Sequence, residues 1–120
     1  RIGRCNENRC MAVSTALKAE ALARELGGQA KLAGLLGVER STVSRWLRGG
    51  SPDTAQAARV DALEYVLAEA ERLFGKAGAR KWLRGLEPRL GDRRPADVLR
   101  SGAVHEVVRA LAEHKAGAFA

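Results

Sequence analysis

Residues 40–48 read RSTVSRWLR, and six of these side chains are hydrogen-bond donors suited to an anionic polymer: Arg40, Ser41, Thr42, Ser44, Arg45 and Arg48. A guanidinium can make two hydrogen bonds to a guanine edge in the DNA major groove, and short hydroxyls reach bases or phosphates. The stretch contains no acid, although Glu39 immediately precedes it. Eleven residues before Arg40, Gln29 opens a second helical segment, QAKLAGLL, whose free N-terminal amides suit a phosphate.

Such donors work together only if a helix holds them by its other face. Val43, Trp46 and Leu47 recur at i, i+3 and i+4, as do Leu32, Leu35 and Leu36 in the segment before. Gly37 separates the two runs at a place where a tight turn needs positive φ. Ala33, four residues ahead of Gly37, is small enough to let the two helices approach. Two short helices joined by a glycine turn predict a helix-turn-helix with Val43 and Trp46 in the core and the arginines outward.

The whole chain fits a basic, helical protein. It has 120 residues, a net charge of +7 and a pI near 10.2, which favours an anionic partner such as nucleic acid. Only five aromatics are present, so the core must be built largely of Ala, Leu and Val, an alphabet that favours helices. Charge is segregated. Residues 51–71 carry one arginine against five acids, whereas residues 72–100 carry nine basic residues against three acids. No run reads as a signal peptide or a membrane span, so no membrane association is expected. Cys5 and Cys10 lack the further ligands that a metal site needs, so no metal is expected, and a cysteine-free remainder fits the cytoplasm. Residues 1–13 read as a disordered leader or cloning remnant ahead of a helix capped by Ser14.

Catalysis finds no footing. His105 and His114 lie nine residues apart on one predicted helix, with no serine or cysteine tied to either, and no Gly-rich phosphate loop is present. Neither enzyme activity nor a cofactor is expected.

Beyond the helix-turn-helix, SPDTAQAARVDALEYVLAEAERLFG predicts a long helix with Ser51 as N-cap, Pro52 at its first position and Gly75 as its stop. A short helix ending near Arg84 follows, then a Pro/Gly-rich connection, a helix from Pro95 to Gly102, and a last helix ending at Lys115-Ala116-Gly117.

The stretch KWLRGLEPRLGDRRPADVLRSG resembles the toxin-binding region of the Xre/MbcA/ParS antitoxins. Those proteins typically show a Trp-Leu pair, a proline, Leu-Gly, and a proline-led short helix ended by glycine. Here these are Trp82, Leu83, Pro88, Leu90, Gly91, Pro95, Asp97, Leu99 and Gly102. Glu87-Pro88 stands where the family often has Asn-Pro, and Gly91-Asp92 where it often has Gly-Gly. With the upstream helix-turn-helix, the resemblance spans roughly residues 14–120. It implies an all-α fold: an Xre/Cro-like helix-turn-helix bundle over 14–74 and a small helical toxin-binding region over 75–120. It also implies an antitoxin that binds a RES-domain toxin, which consumes NAD⁺ or uses it for ADP-ribosylation, and that represses its own operon by binding operator DNA. The NAD⁺ chemistry would belong to the partner. Trp82, Pro88, Arg89, Leu90, Arg93, Arg94 and Pro95 are the candidate toxin-binding residues, joined by Gly117, Phe119 and Ala120 at an uncharged tail able to reach the toxin's pocket. A homodimer within a larger hetero-oligomer is expected, because one helix-turn-helix reads only a half-site. The alternative is an ordinary dimeric helix-turn-helix regulator with no toxin partner.

Overall fold

The computed structural model describes the backbone of residues 7–118 and the side chains of residues 15–117. The protein is all-α. Among the described residues six helices follow in order: α1 Glu7–Leu26, α2 Gln29–Leu36, α3 Arg40–Leu47, α4 Thr54–Arg84, α5 Pro95–Arg100 and α6 Val104–Ala118. A single 3-10 turn, Pro88–Leu90, lies between α4 and α5. The described residues contain no strand, only an isolated antiparallel bridge between Glu87 and Arg93. No described helix is long and apolar enough to cross a membrane.

Three boundaries differ from the sequence expectation. Helix α1 starts at Glu7, so Ser14 lies inside it rather than capping it, and the helix overlaps the segment set aside as a leader. Helix α4 is capped by Asp53, not Ser51, and begins at Thr54. Asp53 accepts from the Gln56 amide at 2.7 Å while the Gln56 side chain accepts from the Asp53 amide at 3.1 Å. This reciprocal box satisfies two orphan donors, where Ser51 could satisfy one. At the other end of the chain, α6 continues through Gly117 to Ala118, so Gly117 does not stop it.

Gly75 behaves as a break rather than an end. Its φ of 76° and ψ of 171° interrupt α4, and a second helical stretch resumes directly and runs to Arg84. Glycine makes this conformation accessible at little steric cost. The re-aimed stretch turns Ala79 and Leu83 into the core.

One hydrophobic core runs through the described residues. Leu32, Val43, Trp46, Val60, Leu63 and Val66 fill its N-terminal part, and Leu90, Pro95, Val98 and Val107 its C-terminal part. The boundary expected at residues 74/75 is therefore crossed by continuous packing, with α2 against α5 and α4 against α6. A polar joint locks it. The Arg100 guanidinium donates from Nε to the Gly34 carbonyl at 3.1 Å, and Arg59 donates to the Arg100 carbonyl at 3.4 Å. Gly37, at φ 71°, sits so close to that carbonyl that a Cβ there would lie 2.5 Å from its oxygen. The turn between α2 and α3 is thus glycine for two reasons: its left-handed backbone and the end of α5 against it.

Candidate functional site

Helices α2 and α3 are joined across Gly37, whose own amide and that of Val38 bond back to the Gly34 and Ala33 carbonyls. Ala33, Val43 and Trp46 are buried, as the spacing requires. The opposite face of α3 presents Arg40, Ser41, Arg45 and Arg48 exposed, with Thr42 and Ser44 half-buried. Arg48 donates to the Ser44 hydroxyl at 2.8 Å, which lays its guanidinium along the helix. No acid pairs with Arg40, Arg45 or Arg48 among the described residues, so their charge is available to a partner. Gln29 opens α2 half-buried, and no side chain caps that helix start; Gly28 stands at the cap. Trp46 Nε1 is buried without a hydrogen-bond partner among the described residues, a cost the core carries in order to seat the ring.

The second site is organised by a residue that sequence reasoning noted only as a departure. Glu87, 3% exposed, is a buried carboxylate in the loop after α4. Its Oε1 accepts from Trp82 Nε1 at 2.7 Å and from His114 Nε2 at 2.7 Å, and its Oε2 accepts from the Arg89 amide at 2.8 Å. A carboxylate only accepts, so His114 carries a proton on Nε2, and Arg89, 3.4 Å from that nitrogen, cannot donate to it. Burial alone would push the Glu87 carboxyl up. The hydrogen bonds from His114, the Arg89 amide and Trp82 outweigh it and hold the carboxyl below its ordinary value. Around the carboxylate stand three rings. Phe74 lies 5.6 Å from Trp82 and meets His114 edge-on at 5.2 Å. The loop's path, the end of α4 and the far end of α6 are therefore fastened at one point.

The same loop spends its arginines internally. Arg93 donates to the Leu90 carbonyl at 2.6 Å and to Glu106 at 2.5 Å, and that hydrogen bond draws the Glu106 carboxyl down. Arg94 donates to the Arg84 carbonyl at 2.9 Å, and Arg89 lies 3.6 Å from Glu113. Gly91 and Asp92 both take positive φ, 70° and 60°, to close the turn that brings the Glu87 amide to the Arg93 carbonyl at 3.1 Å.

Of the toxin-binding residues expected from the sequence, Pro88, Arg89, Arg93 and Arg94 are exposed beside Leu86, a large apolar side chain in solvent that sequence reading did not single out. Leu90 and Pro95 are buried in the core and shape the loop from beneath, and Trp82 is half-buried with its N–H committed to Glu87. Gly117 is exposed on the last turn of α6. Cys5, Phe119 and Ala120 lie outside the described residues, as does the Cys10 side chain. His114 is bound to Glu87, and no hydroxyl or thiol is hydrogen-bonded to it among the described residues.

The fold has a counterpart in a toxin–antitoxin complex. The chain superposes on one chain of the crystal structure of the M. tuberculosis MbcT-MbcA toxin-antitoxin complex with a TM-score of 0.64 and 25% identity, covering 84% of this chain and 90% of that one. No family model and no curated protein matches the sequence. At that coverage the likeness extends over both halves of the chain. The protein is antitoxin-like in architecture.

Proposed function

We propose that this chain is the antitoxin of a toxin–antitoxin pair, binding and inhibiting a RES-domain toxin through its C-terminal region and holding operator DNA with α3. The observation that carries the reading is the likeness to a chain of a toxin-antitoxin complex over 84% of the protein. It agrees with the spacing of Trp82, Leu83, Pro88, Leu90 and Gly91 that resembles the toxin-binding region of such proteins. The toxin's surface meets Leu86, Pro88 and Arg89, while Leu90, Pro95 and Trp82 keep that surface in shape. The tail from Gly117 through Phe119 and Ala120 reaches the toxin's NAD⁺ pocket. The DNA role rests on Arg40, Arg45 and Arg48, three cations without acid partners among the described residues, beside Ser41, Thr42 and Ser44, with Gln29 and the uncapped start of α2 holding a phosphate. Two copies bind together, in the cytoplasm, within a larger complex with the toxin.

Co-expression with the product of the neighbouring gene tests the first part. Growth rescue together with co-purification supports it, whereas a stable protein that neither rescues nor co-purifies refutes it and leaves a plain DNA-binding regulator. For the second part, Arg45→Ala with Arg48→Ala flattens the dependence of log K on log salt by about 0.9 for each phosphate that is no longer neutralised. Unchanged operator affinity in that variant refutes the DNA assignment.

A further inference from the structure

A groove of about 290 Å³ runs between α2 and the C-terminal part of the chain, and neither proposed partner uses it. Its apolar floor includes Leu35 and Leu83, and its rim carries Lys31, Arg80, Arg84 and Arg100. No acid lines it among the described residues. The four cations are not equally engaged. Arg80 donates to the Glu25 carbonyl, and Arg100 to the Gly34 carbonyl and to Asp97 at 3.2 Å. Lys31 and Arg84 have no acidic partner among the described residues.

We infer that this groove binds a small organic anion consisting of one apolar ring and one acid group. Charge sets the acid group, because the unpaired charges of Lys31 and Arg84 over a low-dielectric floor attract an anion more strongly than they would in open solvent. Volume sets the ring. A cavity of roughly 150 Å³ admits benzene, so this groove holds a ring with an attached phosphate or carboxylate and little more. The guanidinium planes of Arg84 and Arg100 can also lie against a ring face. The groove's walls come from α2 on one side and from α4 and α5 on the other, so a bound molecule would bridge the two proposed binding units. The inference does not depend on either of those partners.

Gly34 makes the test clean. It lies in the groove wall, within α2 and without positive φ, and a Cβ there meets nothing within 4 Å. A larger side chain therefore fills the groove without straining the backbone, and leucine is also a better helix former. Isotope-labelled full chain is titrated with phenyl phosphate, inorganic phosphate and benzyl alcohol, following amide signals of Gly34, Leu35 and Ala96. Phenyl phosphate is expected to shift them saturably at millimolar concentration or below. Inorganic phosphate and benzyl alcohol, each lacking one half of the ligand, should bind about tenfold more weakly or worse. Gly34→Leu should abolish binding without lowering the melting temperature. Lys31→Gln with Arg84→Gln should weaken phenyl phosphate by about tenfold while leaving benzyl alcohol unaffected. Any of three results overturns the inference: no saturable shift with phenyl phosphate, inorganic phosphate binding as tightly as phenyl phosphate, or undiminished binding to Gly34→Leu.

Discussion

Replacing Glu87 with alanine should cost this protein more than any other single change in its C-terminal loop. The carboxylate accepts three hydrogen bonds, from Trp82 Nε1, His114 Nε2 and the Arg89 amide, and is itself 3% exposed. A hydrogen bond to a charged group is worth about 1.5–3 kcal/mol, but Trp82 and His114 are half-buried and recover part of that from water. The expected loss is about 2–4 kcal/mol, against a total stability of about 5–15 kcal/mol for a domain. At about 3–6 °C per kcal/mol for a chain of this length, the melting temperature falls by roughly 6–24 °C. Glu87→Gln retains the volume and one acceptor oxygen but sets an amide group against the Arg89 N–H, so its cost is smaller, about 1–2 kcal/mol. The pH dependence has a fixed sign. Because the folded-state carboxyl lies below its ordinary value of 4.5, its stabilisation is present above that value and is lost as the pH falls through the folded pKa. The gap between wild type and Glu87→Gln therefore narrows in acid. Urea denaturation at neutral pH and at acid pH, with the Trp82 indole proton followed by NMR, measures both effects. If Glu87→Ala unfolds within about 0.5 kcal/mol of wild type and leaves the indole signal unmoved, the carboxylate does not hold the loop.

Three further outcomes are expected. Gly37→Ala should lose about 2 kcal/mol or more, since φ is 71° and the new Cβ meets the Arg100 carbonyl oxygen at 2.5 Å; a denaturation midpoint equal to wild type would show that α5 does not seat there. Asp92→Gly should gain about 0.5 kcal/mol, because relief of the left-handed backbone at φ 60° exceeds the added chain entropy; a lower midpoint counts against this. Truncation after Lys115 removes the last residues of α6 with the tail. The shortened chain should still bind the toxin while NAD⁺ turnover rises, and full inhibition by it refutes the role of the tail.

The α2–turn–α3 unit was readable from the sequence because everything that defines it is local. Gly37 supplies the positive φ, and Ala33, Val43 and Trp46 fall at helical spacing around it, so four nearby residues fix the geometry. Pro95 at the start of α5 was readable for the same reason. The cap of α4 was misplaced because Ser51, Pro52 and Asp53 offer competing signals, and only the reciprocal bond with Gln56 decides between them. Gly75 as a stop and a further helix ending near Arg84 are both legible, but the sequence does not reveal that the second stretch resumes directly from Gly75 with no connecting loop. The role of Glu87 was illegible for another reason. Its partner His114 lies 27 residues away on α6, and no local pattern distinguishes a buried acid with three donors from an exposed loop acid. The arginines at 89, 93 and 94 read as an open basic run for the same reason, since two of their anchors, Glu106 and Glu113, sit on α6.

The joint between Gly37, Arg59 and Arg100 bears on how such proteins can diversify. Were the α2–α3 unit and the C-terminal helices independent cassettes, recombination could graft one protein's unit onto another's C-terminal half. Here the turn between α2 and α3 is moulded to the final carbonyl of α5, and a guanidinium from α4 clasps that same atom. A crossover between them leaves each half with a socket cut for an absent counterpart. Shuffled descendants would have to exchange glycine, both arginines and the helix end together, so the α2–α3 unit and the C-terminal helices would have to change as a linked pair.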